Sequence, residues 1–548
     1  MPEIAGSAKV AGVNNAELIV ATLKAAGIGH GFGIPSGNVL PLIEAMRKGG
    51  IEFVLTAHEG SAGFAADVMG RLTGRPGLGI ATLGPGATNL ATGVGDAFLD
   101  RSPMIAITCN LNRDQLGRRI QMLIDHHALF GPIAKASLAL RPGRIGETVA
   151  AAIRIALTEP QGPVHLDLPE DVALAAAEEG VPALGDVPAP DPPSAESVAA
   201  AAERIARAKR PVAVIGTSAM RLGKPGLLRD FVERHGLPFA STTMAKGMID
   251  EDHPLAIGCI ERARRQVQRR FLAGADLIVG LGYDPIEVEY EAWIGATPLL
   301  HVDIEAADTD GSVDIVHQTV GDLDAALEGL VGAAPASNDW TDAEVAAHRD
   351  AFQASLRPDA PGFAPHRAID VVRRALPADG ILSFDVGAHT HQIASQWTAH
   401  ERRSFLITNG WSSMGFGLPA AIAAKLAEPH RPTVCLIGDG CFQMTCGELA
   451  AARRMGLAIP VVVLNDGWLG LIKVKQMRRQ YAHVGTALGT ASGLDAGATP
   501  EHYFGVKAVG THTPEALGDA LEDALASGEP RVIEAFVDPT HYDDTVFD

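Results

Sequence analysis

The chain has 548 residues, of which 47% are hydrophobic and 20% are charged, and its formal net charge is −20. This composition predicts folded domains with sizeable cores rather than a disordered chain, and the length favours about three or four domains. The acidic balance argues against nucleic acid as a partner, because neutralising phosphates requires basic patches.

The pattern of cysteines and the absence of strongly apolar stretches indicate the cellular compartment of the protein. The five cysteines are scattered without a CxxC pair, which indicates a reducing compartment and no disulfide framework. Residues 1–18 contain no long apolar core and no basic leader, so we expect no signal peptide. Residues 80–98 are too rich in glycine and threonine to span a bilayer. We therefore expect a cytoplasmic protein without membrane contact.

Short apolar strands alternate with helices in the first third of the chain, which predicts a first α/β domain. Predicted helices cover residues 15–27, 38–48 and 63–72, and predicted strands cover residues 51–56, 77–82, 104–108 and 164–168. Residues 181–197 are rich in proline and read as a linker.

The same alternation predicts two further α/β domains. Predicted strands cover residues 212–215, 277–281 and 299–304, and, after a second proline-rich connector at 357–365, residues 381–384, 405–408, 433–437, 461–464 and 531–536. We predict an α/β protein of three doubly wound domains with mainly parallel sheets, over residues 10–180, 195–335 and 366–540.

Residues 433–476 contain the sequence pattern that points most directly to chemistry. Gly438-Asp439-Gly440 follows one apolar run, a predicted helix covers residues 443–455, and a second apolar run ends in Asn465-Asp466-Gly467. In a βαβ unit these turns lie at one edge of the sheet, where ligands bind. Glycines and a helix N-terminus suit a phosphate, and two carboxylates suit Mg²⁺. An ordinary strand–turn–helix with turn residues is the alternative.

This pattern, in which Asp466 follows Asp439 by 27 residues, resembles the thiamin diphosphate (ThDP) enzymes, whose fingerprint is GDG followed by Asn-Asn. Asp466 replaces the second Asn, which keeps an oxygen ligand and adds a negative charge beside a diphosphate. The resemblance implies that Asp439 and Asp466 bind Mg²⁺ through their side chains and Trp468 through its backbone carbonyl. It implies that Gly438, Gly440 and Cys441 contact the cofactor.

The resemblance extends to the first domain, where His58-Glu59-Gly60 matches the loop with the family's essential glutamate. It implies that Glu59 hydrogen-bonds the aminopyrimidine ring and activates ThDP. A helix N-terminal acid stabilised by the helix dipole is the alternative for a lone glutamate after a strand.

Three more segments resemble the family: residues 83–89, which contain GPGATN, residues 385–389, where Ala388 replaces the Gln of DVGQH, and residues 409–419, which contain MGFGLP. Asn89 as a helix cap, a buried Met414 as core filler and a surface His389 are the structural alternatives. The resemblance implies further cofactor contacts from Pro35, Asn89, Gly387, His389 and Met414.

Residues 121–133 match the segment that supplies an active-site glutamine from the first domain, and Gln121 is the equivalent residue. The adjacent His126-His127 pair resembles the proton-handling histidines of ThDP decarboxylases. A position on a helix surface, or partial burial, is the alternative for the histidines. The resemblance thus implies that Glu59, Gln121, His126 and His127 are catalytic.

The central domain indicates which members of the ThDP enzyme family the chain resembles most. Residues 281–290 (LGYDPIEVEY) resemble a segment of acetolactate synthases that lack FAD, and no GxGxxG follows a strand here, so FAD is disfavoured. Lys475 stands where biosynthetic synthases have a tryptophan. It is either solvated or directed at an anionic acceptor.

The resemblance implies a ThDP- and Mg²⁺-dependent enzyme that condenses pyruvate to 2-acetolactate. One alternative is another 2-oxo-acid decarboxylase or an aldehyde lyase or carboligase, similar to benzoylformate decarboxylase or benzaldehyde lyase, since Ser36-Gly37-Asn38 departs from the synthases. Another is a non-catalytic ThDP-fold binding protein. The expected partners are small 2-oxo acids and aldehydes. A homodimer or homotetramer is implied, because the family builds each cofactor site from two subunits.

Overall fold

The computed structural model describes residues 12–288, 293–309, 311–360, 362–488 and 503–545. Three six-stranded sheets follow one another along the chain, each parallel throughout its pairings and flanked by helices. This confirms the predicted class of three doubly wound α/β domains. The boundaries 10–180, 195–335 and 366–540 stay a prediction. Residues 1–11, on which the leader expectation partly rests, and Glu289 and Tyr290 of the predicted FAD-independent segment lie outside the described residues.

The N-terminal sheet has the strand order β2-β1-β3-β4-β6-β5. Its inner strands β3, β4 and β6 are buried along their whole length, because helices cover both faces. Its strands are β1 (His30–Gly33), β2 (Glu52–Leu55), β3 (Gly77–Thr82), β4 (Met104–Asn110), β5 (Ala136–Ala139) and β6 (Pro163–Pro169). Its helices are α1 (Asn15–Ala25), α2 (Leu40–Gly49), α3 (Glu59–Thr73), α4 (Pro85–Leu99), α5 (His126–Phe130), α6 (Ile145–Leu157) and α7 (Glu170–Leu174).

Helices α3 and α4 cross in close contact. A Cβ atom on Gly63 would lie 2.7 Å from Gly93 Cα, and a Cβ atom on Gly93 would lie 2.4 Å from Gly63 Cα. Only glycine at both positions allows this approach. The crossing brings the start of α4 beside the start of α3.

The central sheet has the order β12-β11-β10-β7-β8-β9. The chain winds outward from β7 on one side and from β10 on the other, so the topological switch point lies between these two strands. Its strands are β7 (Pro211–Ile215), β8 (Phe239–Thr242), β9 (Ala256–Ile260), β10 (Leu277–Leu281), β11 (Leu299–Asp303) and β12 (Ile315–Val320). Its helices are α8 (Ala195–Arg207), α9 (Gly226–His235), α10 (Arg265–Leu272), α11 (Leu323–Val331) and α12 (Asp342–Ser355).

The C-terminal sheet has the order β14-β13-β15-β16-β18-β17, with its switch point between β13 and β15. Its strands are β13 (Ile381–Ser383), β14 (Phe405–Leu406), β15 (Thr433–Gly438), β16 (Pro460–Asn465), β17 (Lys507–Thr511) and β18 (Arg531–Phe536). The helices of this region are α13 (Pro365–Ala375), α14 (Ala388–Gln396), α15 (Gly417–Ala427), α16 (Asp439–Thr445), α17 (Leu449–Arg454), α18 (Gly470–Arg478), α19 (Pro514–Ala526) and α20 (Tyr542–Thr545).

The predicted continuous helix over residues 443–455 is wrong. Helix α16 begins at Asp439, directly after β15, and a 3-10 turn at Cys446–Glu448 separates it from α17. Gly447 weakens a helix interior. The buried Glu448 carboxylate also accepts the backbone N–H groups of a distant loop, at Ala57 and His58. A long-range contact therefore overrides the helical periodicity at this turn.

The described chain forms two compact units. The first comprises the residues through Pro188 with Gly410–Pro429 and Thr445–Leu457, and the second comprises Ala189–Asn409, His430–Met444 and the residues from Ala458 onward. Within the described part of the chain, none of the helices combines the length and the apolarity that crossing a membrane requires.

Candidate active site

Two acidic side chains meet at adjacent strand ends in the second unit. Asp439 follows β15 and Asp466 follows β16, the neighbouring strand. Asp439 accepts hydrogen bonds from Gly440 N and from Gly467 N, both at 2.8 Å, and Asp466 Oδ1 accepts one from Trp468 N at 2.8 Å. The structure therefore brings the two predicted metal ligands into one hydrogen-bonded pair of loops.

Burial perturbs both carboxyl groups. It raises the pKa of Asp439 to about 6, although hydrogen bonds from Gly467 and Gly440 oppose the shift. Burial, followed by the charge of Asp439, raises the pKa of Asp466 to about 7. Two neighbouring buried carboxylates disfavour each other's ionised form, and a divalent cation removes that penalty. The donor set of hard oxygen atoms suits Mg²⁺.

A histidine fills the space beneath the two glycine loops of this sheet. A Cβ atom on Gly387 would lie 2.5 Å from His389 Cε1, and one on Gly438 would lie 2.7 Å from it. His389 is buried, and its Nε2 makes no hydrogen bond among the described residues; the nearest carboxylate oxygen, on Asp385, is 3.5 Å away. Helix α14 begins at Ala388, beside this ring. A buried nitrogen without a hydrogen bond, glycine loops and a helix start fit a diphosphate group.

Three more residues named in the sequence analysis, Cys441, Trp468 and Lys475, lie close in sequence to Asp439 and Asp466. The structure shows the surroundings of each side chain. Cys441 is buried, and its Sγ donates to Val386 O at 3.1 Å. The Trp468 ring stacks with a cation, since Lys473 Nζ lies 4.0 Å from the ring centroid. Lys475 is half-buried on α18, and burial lowers its pKa.

Glu59 is the first residue of α3 in the first unit, and its side chain is 8% exposed. Asn89 Nδ2 donates to Glu59 Oε2 at 3.0 Å. A Cβ atom on Gly86 would lie 3.2 Å from Glu59 Oε1, so glycine there leaves room beside that oxygen. Asn89 and Gly86 of the GPGATN loop thus lie directly beside the Glu59 carboxyl group.

Glu448 is a supporting residue that sequence reasoning missed. Its carboxylate oxygens accept from Ala57 N at 3.0 Å and from His58 N at 3.2 Å, and burial raises its pKa. Arg454 also donates to Leu55 O at 2.6 Å. These contacts fix the turn that precedes Glu59. No local sequence signal predicts them, because the partners are 390 or more residues apart.

Met414 is half-buried and belongs to the first unit, with Glu59. The loop that carries it is anchored on both sides. The Phe416 ring packs edge-on against Phe64 at 5.7 Å, and a Cβ atom on Gly95 would lie 2.8 Å from the Trp411 ring. The loop position is therefore set by aromatic packing.

The two adjacent histidines, which the sequence analysis treats as a pair, lie in different environments. His126 is buried, with Nδ1 at 2.8 Å from Thr108 Oγ1 and 3.1 Å from Asp167 Oδ1, and Gly84 N donates to its Nε2 at 3.4 Å. His127 is exposed, and its Nδ1 lies 2.6 Å from Ser137 Oγ. Only His126 contacts the GPGATN loop.

A hydrogen-bonded chain continues from His126. Thr108 Oγ1 lies 2.7 Å from His165 Nε2, and His165 Nδ1 lies 2.7 Å from Ser137 Oγ. Burial lowers the pKa of His165 to about 3, so it is neutral at physiological pH. This hydrogen-bonded chain links β4, β5 and β6 through Thr108, Ser137 and His165.

Gln121 and Pro35 are both exposed. Gln121 lies between β4 and α5 in a segment without helix or strand, and Pro35 lies in the turn after β1. The structure places neither of them in contact with Glu59.

Three family models match the chain in order. The thiamine pyrophosphate enzyme N-terminal TPP binding domain matches residues 13–129, the central domain matches residues 198–330, and the C-terminal TPP binding domain matches residues 385–535. The probable acetolactate synthase large subunit of Methanocaldococcus jannaschii is 30% identical, over 96% of this chain and 92% of its own length.

The chain belongs to the thiamine pyrophosphate enzyme family.

Other relatives of this thiamine pyrophosphate enzyme differ in the activity that their names state. The acetolactate synthase isozyme 1 large subunit of Escherichia coli is 33% identical, over 84% of this chain and 83% of its own. The probable 2-ketoarginine decarboxylase of Pseudomonas aeruginosa is 34% identical, over 83% of each chain. The chain is a ThDP-dependent enzyme of acetolactate synthase-like type.

The two TPP binding domain models cover the two groups of residues described above, one around Glu59 and one around Asp439 and Asp466. The N-terminal match contains Glu59 and Asn89, and the C-terminal match contains Asp439 and Asp466. The geometry of each group fits ThDP, the cofactor after which these domains are named.

Proposed function

We propose that this enzyme is a ThDP- and Mg²⁺-dependent carboligase that condenses two pyruvate molecules to 2-acetolactate and CO₂. The observation that carries the proposal is the coexistence of Glu59, held by Asn89, with the buried Asp439 and the half-buried Asp466 at adjacent strand ends. Relatives named acetolactate synthase that align with nearly the whole chain support the choice of reaction.

The cofactor supplies a thiazolium ring that accepts the electron pair released when a 2-oxo acid loses CO₂. Asp439, Asp466 and the backbone carbonyl of Trp468 are the residues we assign to Mg²⁺. His389 and the glycine loops at Gly387 and Gly438 are assigned to the diphosphate.

Glu59 is assigned to the aminopyrimidine ring, where its carboxyl group holds a proton at an oxygen atom. Asn89 orients the carboxyl by donating to Oε2, and Glu448 fixes the preceding turn through its backbone N–H groups. Met414 is assigned to the support of the cofactor's bent shape, and Gln121, His126 and His127 remain proposed as catalytic. Of these, His126 is buried in a hydrogen-bonded chain and accepts from Gly84 N, which suits orienting the Gly84 loop.

We further propose a cytoplasmic homodimer or homotetramer, since the family resemblance assigns the two halves of each cofactor site to different subunits. Sedimentation velocity of the holoprotein tests the assembly. A monomer that is fully active would contradict it.

The second candidate is decarboxylation of a 2-oxo acid without ligation. The 34% identity with a probable 2-ketoarginine decarboxylase supports this second activity. Aldehyde lyase or carboligase chemistry belongs to the same group of outcomes.

A product screen separates the candidates. The holoprotein is incubated with pyruvate, 2-ketobutyrate, benzoylformate and 2-ketoarginine, each with and without an aldehyde acceptor. Acetolactate from pyruvate supports the leading proposal, and an aldehyde as the main product supports the second. A Tm unchanged by saturating ThDP and Mg²⁺ would refute both and favour a non-catalytic protein.

A further inference from the structure

The crevice at the switch point of the central sheet is closed by the chain itself. In doubly wound sheets, ligands bind outside the carboxyl ends of the two strands that flank this point. Here those strands are β7 and β10, which pair along their whole length. Ser218 N donates to Gly282 O at 3.0 Å. A Cβ atom on Gly216 would lie 2.4 Å from Tyr283 Cα, so the two loops touch.

One buried acidic side chain joins two loops and the end of β8 at this position. Glu287 is 5% exposed and ends the 3-10 turn Pro285–Glu287. Its Oε1 accepts from Thr217 N at 2.8 Å and from Asp284 N at 3.0 Å. Its Oε2 contacts the hydroxyl of Thr242 in a short hydrogen bond. Thr217 and Asp284 lie in the loops after β7 and β10, and Thr242 is the last residue of β8.

Those partners are the kind of group that a ligand's phosphate needs. In dinucleotide-binding sheets, backbone N–H groups of the loop after the first strand bind the pyrophosphate. Thr217 N lies directly after the β7 loop glycine, Gly216, and already has a carboxyl oxygen as its acceptor.

A second acidic residue is engaged in the same way. Asp303 ends β11, the strand that pairs with β10, and it lies roughly 20 residues after the β10 loop glycine, Gly282, the interval at which dinucleotide-binding folds present an acid to a ribose hydroxyl. In this chain Ser218 Oγ donates to Asp303 Oδ2 at 3.2 Å, and Ile304 N donates to Oδ1 at 2.6 Å. Both groups that a nucleotide would contact are therefore used internally.

We propose that Glu287 is an internal ligand of the central domain: its carboxyl group occupies the anion position at the switch point and excludes FAD and other nucleotides. The domain then binds no dinucleotide in the wild-type enzyme. Removing the side chain uncovers three hydrogen-bond donors around a space that accepts a small anion.

The test uses the full-length protein and two variants. Glu287→Ala removes the carboxyl group, and we expect a Tm loss of roughly 5–10 °C from the unsatisfied buried donors. Sodium formate, inorganic phosphate and ADP are then added separately, with sodium chloride of equal ionic strength as the salt control. We expect formate or phosphate to restore most of the lost Tm in Glu287→Ala.

Glu287→Gln is the matched control, because it fills the same volume and retains an oxygen acceptor for the two N–H groups. Burial raises the pKa of Glu287 to about 8, so a neutral isostere is close to the native group at pH 7. We expect wild type and Glu287→Gln to show no Tm shift with formate, phosphate or ADP beyond that of sodium chloride.

Two results would overturn the proposal. One is binding of FAD to the wild-type protein at micromolar concentration, with ADP as a competitor, measured by flavin fluorescence. The other is a Glu287→Ala variant that gains no more stability from formate and phosphate than Glu287→Gln does. The wild-type titration needs no variant, so the exclusion of FAD is tested even where Glu287→Ala fails to fold.

Discussion

The replacement Asp466→Asn makes the apoprotein more stable at alkaline pH and leaves it unchanged at acidic pH. Burial and the neighbouring Asp439 raise the pKa of Asp466 from 3.8 to about 7. The folded state therefore binds this proton more tightly than the unfolded state does. The stability that this proton contributes is fully present below about pH 3.8 and is lost as the pH rises to about 7.

The size of the effect follows from the shift. A shift of about 3 pKa units corresponds to about 4 kcal/mol at pH 8, since one unit is worth about 1.4 kcal/mol. Asparagine cannot ionise, so the variant avoids this penalty and keeps the oxygen that accepts from Trp468 N. For a domain of this size, about 4 kcal/mol raises Tm by roughly 10 °C.

Thermal unfolding in EDTA, at pH 4.5 and pH 8, measures the difference between variant and wild type. Asp379→Asn, at an exposed position, is the control and should shift Tm by little at either pH. Addition of Mg²⁺ and ThDP should stabilise the wild type more than Asp466→Asn, because the variant lacks one of the two carboxylates that we assign to Mg²⁺. Equal Tm shifts at the two pH values, or a loss of stability at pH 8, would refute the reasoning.

Five other substitutions, at four positions, test the first unit. Glu59→Gln should lower activity by roughly 100-fold or more while Tm stays within a degree or so, since Asn89 keeps an oxygen acceptor; wild-type kcat in this variant would remove Glu59 from its assigned role. Glu448→Ala should cost about 2–3 kcal/mol in urea unfolding and lower kcat more than it changes KM, because the backbone N–H groups of Ala57 and His58, ahead of Glu59, lose their carboxylate acceptor. Glu448→Gln keeps one acceptor, so its free energy of unfolding and its kcat should lie between those of the wild type and of Glu448→Ala. His126→Ala should cost about 2–4 kcal/mol and the exposed His127→Ala less than about 1 kcal/mol; equal costs would contradict the buried network.

Apolar strands and the residues at their ends could be predicted from the sequence because they are local. The runs that became β3, β10 and β16 are continuous, mainly apolar segments of strand length, which is typical of parallel strands buried on both faces. The turns Gly438-Asp439-Gly440 and Asn465-Asp466-Gly467 follow such strands directly, so their convergence at one sheet edge follows from topology.

The groups that support these residues could not be predicted, because each depends on partners distant in sequence. Glu448 reads as part of an amphipathic helix until its contacts with Ala57 and His58 are seen. Glu287 belongs to the segment 281–290, in which no local pattern predicts that its carboxyl group joins two loops and the end of β8 in the central sheet. Weakly apolar strands such as β8, β9, β12 and β17 were also missed, since their pairing with neighbours decides their structure.

The ratio of CO₂ released to pyruvate consumed tests the central proposal most directly. It is measured with the wild-type holoprotein, purified in ThDP and Mg²⁺, with pyruvate as the sole substrate and Glu59→Gln as the blank. Ligation predicts one CO₂ for every two pyruvate molecules, with acetolactate accounting for the remaining carbon. One CO₂ for every pyruvate, with acetaldehyde as the product, would contradict the proposal and assign the enzyme to simple decarboxylation.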